Sequence, residues 1–271
     1  MSALTGVPKT ALGVARIRSR ESERPDRLFY DPYAAAFVAA MPEAYANDGN
    51  RSTEAARAVG LRIAIHVVVR TRFYDDYLLA AAGDGVRQIV LLAAGLDTRA
   101  FRLDWPADTA VFEIDLPEMT AFKDDVLTGA GATTQARRSV VPADLTKDWP
   151  SKLSAAGFDP AKPTAWLVEG LLVYLTHDDA ARLLDTVAGL SAPGSRLSCE
   201  QGRSAMQLAA QSAESGASEA TSLWQGGIED IDGWLTDHGW SVETFELSAL
   251  ATSYGRPITT DTHTGFLVAS R

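Results

Sequence analysis

Cysteine is almost absent: Cys199 stands alone, so no internal disulfide can form. It lies in an apolar, strand-like run, which reads as a buried structural thiol rather than a nucleophile. Histidine is scarce too. His66, His177, His238 and His263 are scattered, and no Cys/His cluster has metal-ligand spacing. Positive charge falls short of negative, with 25 Lys and Arg against 35 Asp and Glu, a net charge of −10 and a pI near 4.9. That balance argues against a nucleic-acid partner, whose phosphates need clustered cations, and it disfavours an anionic membrane surface. No apolar run approaches membrane-spanning length, and the N-terminus lacks the apolar core of a secretory signal. A soluble, cytoplasmic protein is therefore expected. There is no internal repeat and no low-complexity tract.

What is present is an ordinary globular composition, 46% hydrophobic and 22% charged over 271 residues. A chain of this length buries roughly three quarters of its unfolded surface. Residues 1–82 read as helices: Asp31 is placed to cap a helix through the Ala-rich run after Pro32, and a longer apolar segment covers 53–82. From residue 86 the pattern alternates. Strand candidates are 87–93, 109–114, 137–142, 164–169, 195–200 and 265–269; helical stretches are 97–103, 117–129, 177–191 and 229–239. Strands separated by helices imply an α/β, doubly wound, parallel sheet covered on both faces. The last strand follows only a short polar connection, so it is expected to pair antiparallel at or inside one edge. Residues 203–226 break the alternation and read as a helical insertion over the binding crevice. The organisation expected is an N-terminal helical cap over 1–82 and a ligand-binding domain over 83–271.

The most informative segment is Ile89-Val90-Leu91-Leu92-Ala93-Ala94-Gly95-Leu96-Asp97-Thr98-Arg99, followed by Val111-Phe112-Glu113-Ile114-Asp115. A strand breaks at a glycine, and a second strand ends in a carboxylate 20 residues after that glycine. Gly95 lets a ligand approach the backbone, and Asp115 can accept both hydroxyls of a ribose. A dinucleotide turn needs a glycine where Asp97 stands; its charge repels a diphosphate and its Cβ blocks the approach. A ligand with a sulfonium and an ammonium group tolerates that carboxylate, which points to S-adenosylmethionine. The plainer reading of Asp97 is a helix cap.

Ligands of open parallel sheets bind beyond the carboxyl ends of the strands. Gly95 with Asp97, Asp115, Asp144 with Leu145, and Glu169 stand at four successive ends. Asp144 can accept from an adenine amino group while Leu145 packs on the ring; by itself, Asp144 reads better as the cap of a helix over 145–153. Glu169 interrupts apolar sequence and needs a partner, such as the ammonium of a methionine moiety. Arg18, Arg70 and Arg72 are candidates for the methionine carboxylate, and spacing does not choose among them.

These motifs, with Thr10 to Glu21, Leu28-Phe29-Tyr30-Asp31-Pro32-Tyr33-Ala34, Arg70-Thr71-Arg72-Phe73-Tyr74-Asp75 and Glu169-Gly170-Leu171-Leu172-Val173-Tyr174-Leu175, carry a family resemblance across most of the chain. The chain resembles the bacterial S-adenosylmethionine-dependent methyltransferases of the leucine carboxyl methyltransferase family. The resemblance implies a class I, Rossmann-like methyltransferase fold with seven strands, the seventh antiparallel, N-terminal helices and an inserted lid. It also implies roles: Arg70 and Arg18 for the methionine carboxylate, Gly95 for the methionine backbone, Asp115 for the ribose, Asp144 and Leu145 for the adenine, Glu169 for the methionine amine.

The activity so implied is O-methyl transfer to a carboxylate or hydroxyl of a small-molecule acceptor, a secondary metabolite such as a polyketide in antibiotic biosynthesis. A carboxylate acceptor needs no base; for a hydroxyl, His177 is the candidate base, with Tyr174 orienting the acceptor. By itself, His177 reads better as a solvent-facing residue at the start of a helix over 177–191. Phe73, Tyr74 and Trp224 could offer aromatic surface to the acceptor, while aromatic residues at these places also read as ordinary core. The competing readings are an NAD-type oxidoreductase and a non-catalytic nucleoside-binding protein of the same fold. A homo-oligomer is left open.

Overall fold

The computed structural model describes residues 7–42, 54–201, 224–258 and 265–271. Most of the insertion expected over 203–226 lies outside the described residues, as does the polar break at 47–50. Three helices come first: α1 (Val7–Ser22), α2 (Ala34–Ala40) and α3 (Glu54–Gly83). The cap position of the second is Tyr33 rather than Asp31, which stands two residues earlier and accepts the N–H groups of Tyr33 and Ala34 at 3.1 Å each. The alternating part follows as β1 (Gln88–Leu92), α4 (Arg99–Arg102), β2 (Ala110–Asp115), α5 (Pro117–Gly129), β3 (Arg137–Pro142), α6 (Trp149–Ala155), β4 (Thr164–Val168), α7 (His177–Gly189) and β5 (Arg196–Glu200). The chain then runs through α8 (Ile231–Asp237), β6 (Ser241–Glu246), α9 (Leu247–Ser253) and β7 (Gly265–Ser270).

The seven strands form one sheet in the order β3-β2-β1-β4-β5-β7-β6. All are parallel except β7, which runs antiparallel to both β5 and β6. The last strand thus lies inside the edge, as its short connection suggested. Two departures from the sequence reading have clear physical causes. Strand β6 and helix α9 were missed, because β6 is an edge strand whose side chains are all exposed or half-buried and so carry no apolar run. Helix α6 starts at Trp149 rather than 145. Asp148, not Asp144, is its cap, accepting the Ser151 N–H at 3.3 Å ahead of Pro150 in the first turn.

Alternation along the central strands builds two cores. Ile89, Leu91, Val111, Ala165, Leu167 and Phe266 face α1, α2, α3 and α9, so the N-terminal helices share one apolar cluster with the sheet. Val90, Leu92, Phe112, Trp166, Val168, Leu197 and Cys199 face α6, α7 and α8. Cys199 is fully buried, as expected of a structural thiol. Phe73 and Tyr74 also belong to the core: Phe73 stacks on Phe266 at 5.0 Å, and Tyr74 meets the same ring edge-on at 5.5 Å. They are therefore packing residues, and the expectation that they face an acceptor is corrected.

Candidate cofactor site at the strand ends

The carboxyl ends of β1, β2, β4 and β5 converge on one crevice, and the first turn shows how it is shaped. Ala93 and Gly95 both have positive φ, 53° and 45°. That left-handed conformation is easy for glycine and costly for alanine, which marks a turn held by its surroundings. What holds it is Asp115. Its Oδ2 accepts the Gly95 N–H at 2.6 Å, while Oδ1 accepts the Leu116 N–H at 2.7 Å. Each oxygen keeps a further lone pair, which suits a vicinal diol. Burial pushes the Asp115 carboxyl above its usual range, with the two N–H groups pulling the other way. Leu116 leaves 40% of its area exposed, an apolar side chain beside the ribose-type carboxylate.

Beneath the turn lies a buried ionic cluster. Arg99 is 1% exposed and meets three carboxylates: Asp75 at 2.7 Å, Glu169 at 2.7 Å, and Asp97. Asp97 also accepts the Arg99 backbone N–H at 2.6 Å, so the structure brings it to Arg99 rather than into the open crevice. Burial works against its charge, but the Arg99 guanidinium and Lys123 hold its carboxyl down to about 2. Arg102 grips Asp75 with two bonds of 2.6 and 2.7 Å. Arg18, also buried, donates to the Leu96 carbonyl at 2.6 Å and lies 3.3 Å from Asp31. It braces the first turn from the side of α1.

Arg70, on α3, bridges two strand ends. Its Nε lies 2.9 Å from Glu169 after β4, and its Nη1 donates to Glu200, the last residue of β5, at 2.9 Å. Glu200 also accepts the Gly170 N–H, at 2.9 and 3.0 Å. Gly170 has φ +63°, and a Cβ there would come within 3.4 Å of Arg70 Nη1. The guanidinium thus lies directly over the glycine. Burial raises Glu169, but Arg99 and Arg70 prevail and leave its carboxyl below the usual range. Glu200 ends up above it, because burial outweighs its one cation and Glu169 adds repulsion.

The remaining candidates lie around this centre. Asp144 sits on a turn, accepting the N–H and hydroxyl of Thr146 at 2.9 and 2.7 Å, with Leu145 packed against the second core. Tyr174, in a single 3-10 turn over Leu172–Tyr174, meets Trp224 edge-on at 6.5 Å. His177 is the first residue of α7; its side chain is 66% exposed and 3.5 Å from Asp178, the solvent-facing placement. Arg72 pairs with Asp76 at 2.9 Å and lies outside the cluster. Sequence reasoning missed Arg99, Asp75 and Glu200. Glu200 had a signal, a fifth acid at a fifth strand end; for Asp75 and Arg99 only proximity in space supplies one.

The donor set fits an adenosyl amino acid: a diol acceptor with an apolar neighbour, an arginine for a carboxylate, and an excess of acids for a sulfonium and an ammonium. Solved structures share the fold. A magnesium protoporphyrin IX methyltransferase from Synechocystis, with bound S-adenosylhomocysteine, aligns over 96% of this chain and 99% of its own with a TM-score of 0.52 at 13% identity. A DUF574 family protein from Streptomyces avermitilis aligns over 95% and 96% with a TM-score of 0.50 at 16% identity. At such identities these likenesses speak to fold alone. The fold and the strand-end chemistry together define a class I S-adenosylmethionine-dependent methyltransferase.

The family follows from closer relatives. The leucine carboxyl methyltransferase model matches residues 11–188. A Frankia alni protein named as an S-adenosyl-L-methionine-dependent methyltransferase is 50% identical over 98% of this chain and 95% of its own length. A similarly named Parafrankia protein is 48% identical over 93% and 83%. The chain belongs to the leucine carboxyl methyltransferase family, and S-adenosylmethionine is its cofactor. An NAD-type oxidoreductase, the competing enzyme reading, is set aside by that membership. Among the described residues no helix is long and apolar enough to cross a membrane.

Proposed function

We propose that the protein is an O-methyltransferase acting on a carboxylate or hydroxyl of a small molecule. The observation that carries this is the division of charge at the crevice. Arg70 and Arg99 already meet acids of the chain, and His177, the base considered for a hydroxyl acceptor, is exposed at the start of α7 beside Asp178. Such a site aligns an acceptor that is already anionic or readily made so. When bound, S-adenosylmethionine supplies a methyl group on a sulfonium leaving group, so the protein's work is alignment and exclusion of water. Asp115 takes the ribose, Leu116 and Leu145 flank the adenine with Asp144 at its amino edge, Arg70 takes the methionine carboxylate and Glu169 the amine. Arg18 and Asp97 keep the turn and Arg99 in place. Tyr174 and Trp224 form the acceptor wall; the Trp224 indole N–H is buried with no hydrogen-bond partner among the described residues and is the donor offered to an acceptor oxygen. A secondary metabolite of polyketide type has the acids and phenols this wall suits, and the N-terminal helices with 203–226 are the region that selects it.

The test is release of S-adenosylhomocysteine from S-adenosylmethionine on incubation with a panel of aromatic and aliphatic acids and phenols. Turnover with at least one acid or phenol is expected. Asp115→Ala should weaken cofactor binding about tenfold or more, the worth of one to two charge-assisted hydrogen bonds. Turnover confined to amines or thiols would overturn the O-methyl reading while leaving the class intact.

A further inference from the structure

Arg70 stands between two carboxylates that are not equivalent. Glu169 has a second cation, Arg99, at 2.7 Å, whereas among the described residues Glu200 has Arg70 as its one cation, with the Gly170 N–H as a further donor. The reading above gives Arg70 to the methionine carboxylate; Nε already serves Glu169 and Nη1 serves Glu200, so a bidentate hold on a third carboxylate, which needs two adjacent N–H groups, takes one of these from its present partner. Glu169 keeps its charge compensated through Arg99. Glu200 does not. We propose that Glu200 is the carboxylate Arg70 gives up when the cofactor docks, and that Glu200 takes a proton from solvent in exchange. Cofactor binding and protonation of one residue at the end of β5 are then a single coupled event. This inference rests on the assignment of Arg70 to the methionine carboxylate.

The balance is simple: one Arg70–Glu200 ion pair is replaced by an Arg70–cofactor pair, and one O–H bond forms on Glu200 with a proton from the buffer. The surroundings favour that fate. From α3, Glu200 is met by Arg70 and the buried Tyr74 hydroxyl, which has no hydrogen-bond partner among the described residues. From the end of β4 comes Glu169, and from β5 its neighbour Cys199. The facing residue on β7 is Phe266, which brings no charge. His66, one turn before Arg70 on α3, is held neutral at about 3, so it takes no part in uptake at ordinary pH. Burial already sets Glu200 above the usual carboxylate range while Arg70 is beside it, and loss of Arg70 removes the one cation of the described residues that opposes burial. A buried carboxylate without its cation neutralises itself.

The experiment is calorimetric titration with S-adenosylhomocysteine in buffers of low and high ionisation enthalpy, from about pH 6 to about pH 8, on wild type and Glu200→Gln. 5′-Methylthioadenosine, which lacks the amino-acid carboxylate, is the control ligand. Wild type is expected to take up as much as about one proton per S-adenosylhomocysteine and none per methylthioadenosine, with affinity rising as pH falls, by up to about tenfold per unit. Glu200→Gln keeps an acceptor for the Gly170 N–H but frees Arg70. It should bind S-adenosylhomocysteine at least as tightly as wild type, with no uptake and no pH slope. A merely structural Glu200 predicts the opposite sign, weaker binding in the variant. Binding without proton uptake by wild type, or weaker binding by a folded Glu200→Gln, overturns the exchange and leaves the cofactor site standing. Equal affinity for methylthioadenosine and S-adenosylhomocysteine removes the Arg70 assignment itself, and the inference with it.

Discussion

Arg99 meets Asp75, Asp97 and Glu169 from a position with 1% exposure, and Asp75 is shared with Arg102. A cluster of this kind is asymmetric in its energetics. Its formation contributes modestly, because desolvation offsets attraction, while removal of one member strands the others. Arg99→Met should therefore destabilise the fold by about 3–5 kcal/mol, measurable as a lowered midpoint in urea. The same cluster sets the acid limit. Asp97 is depressed in the folded state to about 2, so its contribution is fully present above the unfolded carboxylate range and is lost as pH falls from about 4 towards that value. On the order of 2 kcal/mol rides on this one group. An acid titration of urea midpoints should show wild type losing stability over that window, and Asp97→Asn should flatten the loss. Retention of the full slope in Asp97→Asn would place the acid sensitivity elsewhere in the cluster.

At the scale of elements, the sequence was most legible where apolar runs are continuous. Strands β1 to β5 were each found to within a residue or two, and α5 was placed at 117–129, its observed extent, because Pro117 marks a first turn and Gly129 an end. Edge strand β6 was illegible for the converse reason: solvent on both faces leaves no alternation to read. The strand-end acids were legible as a set, since position after a strand is a sequence property. Their partners were not, because Arg70 reaches Glu200 across 130 residues and Arg99 reaches Glu169 across 70. Asp144 and Asp148 show how close two readings can lie: both are Asp ahead of a polar turn, and only Asp148 is followed by a Pro at the second position. Asp148→Ala should cost about 1 kcal/mol through loss of the α6 cap, whereas Asp144→Ala should leave stability nearly unchanged and weaken adenosyl binding. Urea midpoints and calorimetry on the two variants would separate the roles.

The molecule as a whole joins its parts through one sheet with two cores, and the N-terminal helices contribute both packing, through Leu12 and Phe37, and polar contacts to the strand ends, through Arg18 and Arg70. The order of strands has a consequence for biosynthesis. Strand β7 leaves the ribosome after β6 yet lies between β6 and β5. Until β7 is made, β6 has no neighbour to pair with and the rim of β5 is bare, with Glu200 at its tip. A nascent chain halted before residue 265 thus carries two open edges, the form most prone to cross-pairing with other chains. Strand β7 is thus the piece that closes the sheet beside Glu200, and without it β5 and β6 are both left open to other chains.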